Sequence, residues 1–356
     1  MTRGSMTPAA GPGAAMRFSV DGWDPSYGAS FEVDGELGES TARVDTDIEL
    51  PAARWRPVDP ETTGEVPEAL LFVDGVRRVE AQVWIDSDSP LVDQASGEIS
   101  PGEPTAALCA SYAAGVVCCC KAGAHLVSSK RQRGLFSVAA HARDIDTRAG
   151  GYRAHHVTVK QGKPVMPALS QALQGRLALI EEDVANAARD ATAVGQAVSA
   201  GHPLGTDGDL LILDGNLRGR QHLPRALGYI KSHHTTYLPP ELNAVVGRLA
   251  PGQRTPVFEV GTRWDRRSWY LRLPCPPAAP WAGIVRVECS VSVPLDEAVR
   301  LAGLSQRCLG RFASAAYKDT RAPQNLYPIA GLERELRRRL GDPALLYRAL
   351  REASRP

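Results

Sequence analysis

The sequence predicts an α/β fold in which a mixed sheet is flanked by helices, and three observations indicate it. Two apolar runs, residues 70–73 and 210–213, are each followed by Asp-Gly. Apolar runs bounded by turn residues are typical of strands that are buried on both faces. Between them, apolar residues recur every three or four positions over residues 167–198, as in a helix that packs on a sheet. Strand, helix and strand in this order favour the α/β class.

Composition limits the classes of function. The chain has 356 residues, of which 43% are hydrophobic and 23% are charged, so one large domain with additions or two domains can form. The net charge is only +1, so a nucleic-acid partner would need a local basic surface. No apolar stretch reaches transmembrane length, and we expect a cytoplasmic protein.

The remaining elements surround the two Asp-Gly strands. We predict a disordered tail over residues 1–16, an N-terminal β-rich extension over 17–67, a catalytic domain over 68–330 and a C-terminal helix within 331–356. Residues 78–85 alternate in polarity and are predicted to be the hairpin partner of the first strand. Further strands are predicted at residues 155–159, 255–260, 269–273 and 284–288 and within 106–120. This order resembles a ribonuclease H-like arrangement.

The seven cysteines include no CxxC pair. Cys118, Cys119 and Cys120 are adjacent in an apolar run, and neighbouring residues of a strand point to opposite faces. The three therefore cannot converge on one zinc ion. We interpret the cysteines as small buried apolar residues in a reducing cytosol.

The two aspartates that end the apolar runs, Asp74 and Asp214, are candidate metal ligands. A carboxylate at the end of a buried strand is costly to bury without a partner, and a bound cation is an effective partner. Phosphodiester cleavage commonly uses two divalent ions held by several carboxylates, and Mg²⁺ or Mn²⁺ prefers such oxygen ligands. Gly75 and Gly215 are expected to let the backbone turn sharply and to leave room for a substrate phosphate.

A third carboxylate is expected from the intervening helix, where Glu181, Glu182 and Asp183 stand together. At about 100° per residue, Glu182 lies opposite the apolar stripe, whereas Glu181 and Asp183 lie at its margins. A ligand must face the sheet edge without displacing the core. We favour Glu181, with Asp183 in reserve; a solvated acidic patch is the alternative.

Basic residues follow the second Asp-Gly, and Arg218, Arg220 and Lys231 are candidate contacts to a nucleic-acid backbone. Such contacts position the backbone without reading its sequence. Arg131 is a further candidate. The same track could include Lys130, Arg133, Arg263, Arg266 and Arg267. For each cluster the alternative is a solvated face.

Short motifs occur in a fixed order over about residues 70 to 330. They are Val73-Asp74-Gly75, a helix with a glutamate, Leu213-Asp214-Gly215, Gly228-Tyr229-Ile230-Lys231-Ser232, Arg286-Val287-Glu288 and Tyr327-Pro328. In order and spacing they resemble the NurA family of DNA-end-processing nucleases. The resemblance implies a ribonuclease H-like domain, dependence on Mn²⁺ or Mg²⁺, a homodimer and a hexameric HerA-type ATPase partner. It implies Asp74, Glu181 and Asp214 as metal ligands, and we include Lys231 among the candidate catalytic residues.

One departure from the family concerns the end of the site. The family usually has a histidine a few residues after the late Tyr-Pro, whereas residues 327–335 contain none. Asn325 or Glu335 are candidates to complete the site. The sequence therefore predicts a metal-dependent, largely sequence-independent DNA nuclease, in repair or in defence against foreign DNA. The alternative is a non-catalytic DNA-binding or ATPase-docking subunit that retains the fold.

A third hypothesis is a phosphotransferase of the actin-like fold, which also places two Asp-Gly turns at strand ends. In that fold Gly and a Thr or Ser normally follow the aspartate. Val76 and Asn216 stand there instead, so we rank this hypothesis last.

Overall fold

The computed structural model describes residues 42–64, 66–86, 91–92, 99–100, 103–160, 162–189, 209–233, 235–262, 264–276 and 281–355. The predicted tail and much of the predicted N-terminal extension lie outside these ranges. The strands are β1 (Arg43–Asp45), β2 (Ala69–Ile85), β3 (Leu91–Val92), β4 (Ile99–Ser100), β5 (Thr105–Cys120), β6 (Gly123–Ser137), β7 (Arg153–His156), β8 (Asp209–Asp214), β9 (Ala226–Ile230), β10 (Phe258–Gly261), β11 (Asp265–Arg272) and β12 (Ile284–Ser290). The helices are α1 (Val165–Arg189), α2 (Pro240–Gly247), α3 (Leu295–Leu309), α4 (Tyr327–Arg339) and α5 (Pro343–Ala353).

Ten strands form one mixed sheet in the order β1-β10-β11-β12-β9-β8-β2-β5-β6-β7. Strand β5 is antiparallel to both β2 and β6, whereas β8 is parallel to β2 and β9 is parallel to β8. Part of this sheet has the order β6-β5-β2-β8-β9, and in the sequence α1 lies between the three antiparallel strands and β8. This is the topology of the ribonuclease H-like fold. The predicted fold class is therefore confirmed.

The sheet is covered on both faces, because alternate residues of each central strand enter different cores. Leu71 of β2 and Leu211 of β8 pack with the apolar stripe of α1. Phe72 and Ile212 point the other way and pack with α3. These strands therefore read as continuous apolar runs, since both faces are buried. No described helix has the length and apolar character needed to cross a membrane.

Helix α1 follows its predicted pattern. Its buried positions include Leu169, Leu173, Leu177, Ile180, Val184 and Ala188. The predicted continuation to residue 198 lies outside the described residues. Helix α3, which covers the opposite face, is not among the sequence-based predictions.

The predicted hairpin between residues 70–73 and 78–85 is wrong. Both segments belong to β2, which continues through Gly75 and pairs along its length with β5. Gly75 does not have a positive φ, whereas Gly215 does, with φ of 100°. Only the second Asp-Gly therefore forms a sharp turn, and Gly75 has another role, in packing.

The predicted C-terminal helix is present as two helices. Gly341, with φ of 91°, lies between α4 and α5, and the Asp342 side chain caps α5 by accepting from the backbone N–H groups of Ala344 and Leu345. Leu332 and Leu336 of α4, and Leu340 directly after it, pack against β2 and β5. Helix α4 is thus docked on the central strands.

Candidate metal centre

Two aspartates meet where the pairing of β2 with β8 ends, because these two strands are parallel and in register. The pairing of β2 with β8 ends at Val73 opposite Leu213. Asp74 follows Val73 and Asp214 follows Leu213, so the two carboxylates lie side by side. Glu333, on α4, completes a group in which one oxygen from each of the three carboxylates lies within 4.8 Å of the others.

Asp74 is the most buried member of this group, with 7% of its surface exposed. Its Oδ1 accepts a 2.7 Å hydrogen bond from the backbone N–H of Gly75. Its Oδ2 is buried without a hydrogen-bond partner among the described residues. Burial, with the negative charge of Asp214, raises the pKa of Asp74 well above its ordinary value. A buried carboxylate oxygen without a partner is costly unless a proton or a cation neutralises it.

Asp214 is held by Lys231, a candidate from the sequence. The Lys231 ammonium donates to Asp214 Oδ2 at 2.6 Å and to Asn325 Oδ1 at 3.0 Å. Although burial would lower the pKa of Lys231, the charges of Asp214 and Asp74 raise it. Lys231 therefore carries a positive charge directly beside the carboxylates.

Glu333 is oriented by an arginine in the same way. Arg321 donates to both of its carboxylate oxygens, with a distance of 3.0 Å from Nη1 to Oε1. This bidentate pair fixes the direction in which Glu333 presents its carboxylate. Lys231 and Arg321 thus offset part of the charge of the three carboxylates, and the remaining charge favours a cation.

Glu181, the predicted third ligand, lies beside the group but is not part of it. It is 7% exposed, and its Oε2 accepts from Arg220, which also donates to the backbone carbonyl of Asn216 at 2.8 Å. Burial raises the pKa of Glu181, and Arg220 opposes this rise. The charge of Glu181 adds to the rise in the pKa of Asp74, and the charge of Asp214 adds to the rise in the pKa of Glu181.

The other two carboxylates of α1 face away from the centre. Asp183, the reserve ligand, is exposed and forms a 2.6 Å ion pair with Lys130. The Oε1 atom of Glu182 lies 3.2 Å from Nε2 of His222. The structure therefore separates Glu181, which is buried, from Asp183, although both were predicted to lie at the margins of the apolar stripe. Glu182, predicted to lie opposite the stripe, has a less exposed side chain than Asp183.

Gly75 allows α1 to approach β2 closely. A Cβ atom at this position would lie 2.5 Å from Glu181 Oε1 and 2.7 Å from Leu177 Cδ1. Glycine is thus required by packing at this point of the strand.

We expect Gly75→Ala to lower the free energy of unfolding by about 1–3 kcal/mol, because the added methyl group overpacks the contact. Gly175→Ala is the matched control in α1, where a Cβ would meet no atom within 4 Å. That variant should gain up to about 1 kcal/mol from helix propensity. Urea unfolding measures both, and equal stability of Gly75→Ala and the wild type would contradict the packing role.

The predicted nucleic-acid contacts divide into exposed and buried residues. Arg218 is exposed, and Arg131 is exposed while donating to the Arg339 carbonyl at 2.9 Å. Arg220 is 8% exposed and engaged with Glu181, and Lys231 is engaged with Asp214. Only Arg131 and Arg218 of the four predicted contacts are placed to meet a surface ligand without rearrangement.

Glu288, in the motif Arg286-Val287-Glu288, supports the loop after β8. Its Oε1 accepts from the backbone N–H of Leu217 at 2.8 Å, and its Oε2 accepts from Arg286 at 2.7 Å. Glu288 is fully buried. The geometry therefore gives this glutamate a positioning role.

Glu333 is the residue that the sequence-based reasoning missed. Glu335, one of the two residues considered there, has a more exposed side chain than Glu333, 29% against 13%, and pairs with Arg338 and Arg339. Asn325, the other, lies beside Lys231. The helical register contains a signal, because Glu333 lies four residues after the buried Ile329 and three before the buried Leu336.

The donor set fits a hard divalent cation. All three members offer carboxylate oxygens, which suit Mg²⁺ or Mn²⁺, and Asp74 Oδ2 has no hydrogen-bond partner among the described residues. An arrangement of this kind can hold a cation where the parallel pairing of β2 with β8 ends.

No protein-family model matches the chain, and no curated protein matches it. Among solved structures, the chain is similar to the crystal structure of the NurA nuclease from Sulfolobus solfataricus. The TM-score is 0.40 with 10% sequence identity, covering 84% of this chain and 88% of that chain. At this level of similarity, function has to be inferred from the site itself.

Proposed function

We propose that the protein is a divalent-metal-dependent DNA nuclease in which Asp74, Asp214 and Glu333 hold Mn²⁺ or Mg²⁺. The observation that carries this proposal is the convergence of three carboxylates around an unpartnered, buried oxygen. When bound, divalent ions supply an activated water and neutralise charge on the phosphate oxygens. Cleavage of linear DNA that requires Mn²⁺ or Mg²⁺ and stops on chelation is the test.

The chain's own residues orient this centre. Lys231 holds Asp214, Arg321 holds Glu333, and Gly75 lets the carboxylate of Glu181 approach next to Asp74. We retain Glu181 as a further candidate ligand, because its side chain contacts this edge of the sheet. The turn at Gly215 leaves open space, since a Cβ there would meet no atom within 4 Å.

The proposed substrate is DNA bound through its backbone, because the accessible candidate contacts are arginines that suit phosphate groups. Binding should then fall steeply as salt rises, with little dependence on sequence. We expect Arg131→Ala and Arg218→Ala together to reduce the slope of log affinity against log salt by about 2. Anisotropy titrations with two unrelated duplexes provide the measurement, and a sharp preference for one sequence at constant salt would contradict backbone recognition.

We also propose, from the order of the sequence motifs, that the protein is a homodimer acting with a hexameric HerA-type ATPase. Light scattering at micromolar concentration tests the first part, and a strict monomer would contradict it. Co-purification with the product of a neighbouring ATPase gene tests the second part. This experiment would also separate a role in repair from one in defence.

A non-catalytic DNA-binding or ATPase-docking subunit is the second candidate function. The observation that favours it is the absence of a histidine from residues 327–335. DNA binding without cleavage in either Mn²⁺ or Mg²⁺, with and without the ATPase, would favour this candidate over the nuclease.

A further inference from the structure

A second group of metal-ligand side chains lies where β5 turns into β6. Cys118 and Cys120 are two residues apart on β5, so both project from the same face of the strand. His125 of β6 is paired directly opposite Cys118. The intervening Cys119 projects from the other face and packs with the core that contains α3.

The three side chains lie close enough to share one ion. The two sulfur atoms and one ring nitrogen of His125 all lie within 4.8 Å of one another. Cys118 is fully buried, and Cys120 Sγ, which contacts the Cys118 thiol, also donates to the Gly123 carbonyl at 3.8 Å.

His125 supplies an independent indication of a ligand. Its Nε2 is buried and has no hydrogen-bond partner in the described part of the chain. Buried polar atoms are nearly always satisfied, so an unpartnered nitrogen on an imidazole that is grouped with two thiols needs an explanation. A bound cation provides one.

We propose that Cys118, Cys120 and His125 bind one zinc-type divalent cation. Two thiolates and an imidazole are typical zinc ligands, whereas the carboxylates of the metal centre suit harder ions. The site is separate from that centre, because Asp74 pairs with Gly115, and Cys120 lies five residues further, or about 17 Å along β5. The proposal does not depend on the proposed nuclease function.

The protein ligands of this group are the two thiols and the imidazole. The charge of Asp209 acts on Cys118, but both Asp209 oxygens accept hydrogen bonds from Arg189, at 2.7 and 3.1 Å. Cys120 and His125 are half-buried, so the group is not sealed from solvent. Three protein ligands and a water would satisfy the tetrahedral preference of zinc.

Titration of the full-length, reduced protein with Co²⁺ tests the site. We expect one equivalent to produce thiolate-to-cobalt absorption in the near ultraviolet together with visible bands of tetrahedral Co²⁺, and Zn²⁺ to abolish both. Cys118→Ser, Cys120→Ser and His125→Asn should each lose this absorption. Cys119→Ser is the matched control and should keep it, as should Asp74→Asn.

A second readout covers the case in which Cys118→Ser does not fold. Cys120 and His125 are only half-buried, so their variants should keep the wild-type circular dichroism spectrum. Zn²⁺ should raise the melting temperature of the wild type and of Cys119→Ser, but not of Cys120→Ser or His125→Asn. No thiolate–cobalt absorption in the wild type, or absorption lost in Cys119→Ser and kept in Cys120→Ser, would overturn the proposal.

Discussion

Asp74→Asn is expected to lower the rate of metal-dependent DNA cleavage by a factor on the order of 10³, or about 4 kcal/mol of transition-state stabilisation. Asparagine keeps the size of the side chain and can still accept a hydrogen bond from the Gly75 N–H. It removes the charge that would hold the cation. Initial rates on linear duplex DNA with Mn²⁺ measure the effect, and near-normal activity would contradict the placement of the centre.

Asp183→Asn is the matched control for this variant. Asp183 also carries a carboxylate and lies two residues after Glu181 on α1, but its side chain is exposed and forms an ion pair with Lys130. We expect its replacement to leave the rate within about twofold of the wild type, since surface ion pairs contribute little. A loss comparable with that of Asp74→Asn would mean that α1 carries the ligand on its other margin.

Melting curves separate a lost ligand from a damaged fold. Asp74→Asn removes a buried carboxylate that has an unpartnered oxygen, so the variant should be at least as stable as the wild type without divalent ions. Mn²⁺ should raise the melting temperature of the wild type and leave that of the variant unchanged, because only the folded wild type binds the ion tightly.

Glu333→Gln is the second variant with a large expected effect. We expect it to reduce cleavage by a factor on the order of 10², because the centre loses one of its three converging charges. Glutamine can still accept from Arg321, so the variant should keep the position of α4. Glu335→Gln lies on the same helix, two residues away, and should cleave DNA at close to the wild-type rate.

The opposite result, with Glu335→Gln inactive and Glu333→Gln active, would contradict the docking of α4 on β2 and β5. If both variants cleaved DNA at the same rate, the centre would need only the carboxylates of Asp74 and Asp214. Rates for both proteins at one Mn²⁺ concentration, below saturation, distinguish these outcomes.

The two aspartates could be predicted because their signals are local. An apolar run indicates a buried strand, and the parallel pairing of β2 with β8 places the aspartates that follow the two runs side by side. Asp-Gly marks the end of a strand only at Asp214, because β2 continues past Asp74 to Ile85. Helical periodicity alone does not predict the burial of Glu181, because it also places Asp183 at a margin of the apolar stripe, and Asp183 is exposed. The partner of Glu181, Arg220, comes from the loop after β8, and no local pattern indicates that pairing.

Glu333 could not be found in the same way, because its role depends on where α4 docks. The sequence shows an amphipathic helix but not which strands it meets, and Glu335 was considered for the site instead of Glu333. Gly75 illustrates a related limit. A glycine after aspartate is typical of a turn. At Gly75, however, glycine is required because α1 approaches β2 closely, and the contacting residues Leu177 and Glu181 come about 100 residues later in the sequence.

The most direct test of the metal centre is anomalous diffraction from crystals of the full-length protein grown with Mn²⁺. We expect a manganese peak in contact with the carboxylates of Asp74, Asp214 and Glu333, at the edge where β2 and β8 meet. A manganese peak bound elsewhere with these three carboxylates unoccupied, or no peak at saturating Mn²⁺, would contradict the account.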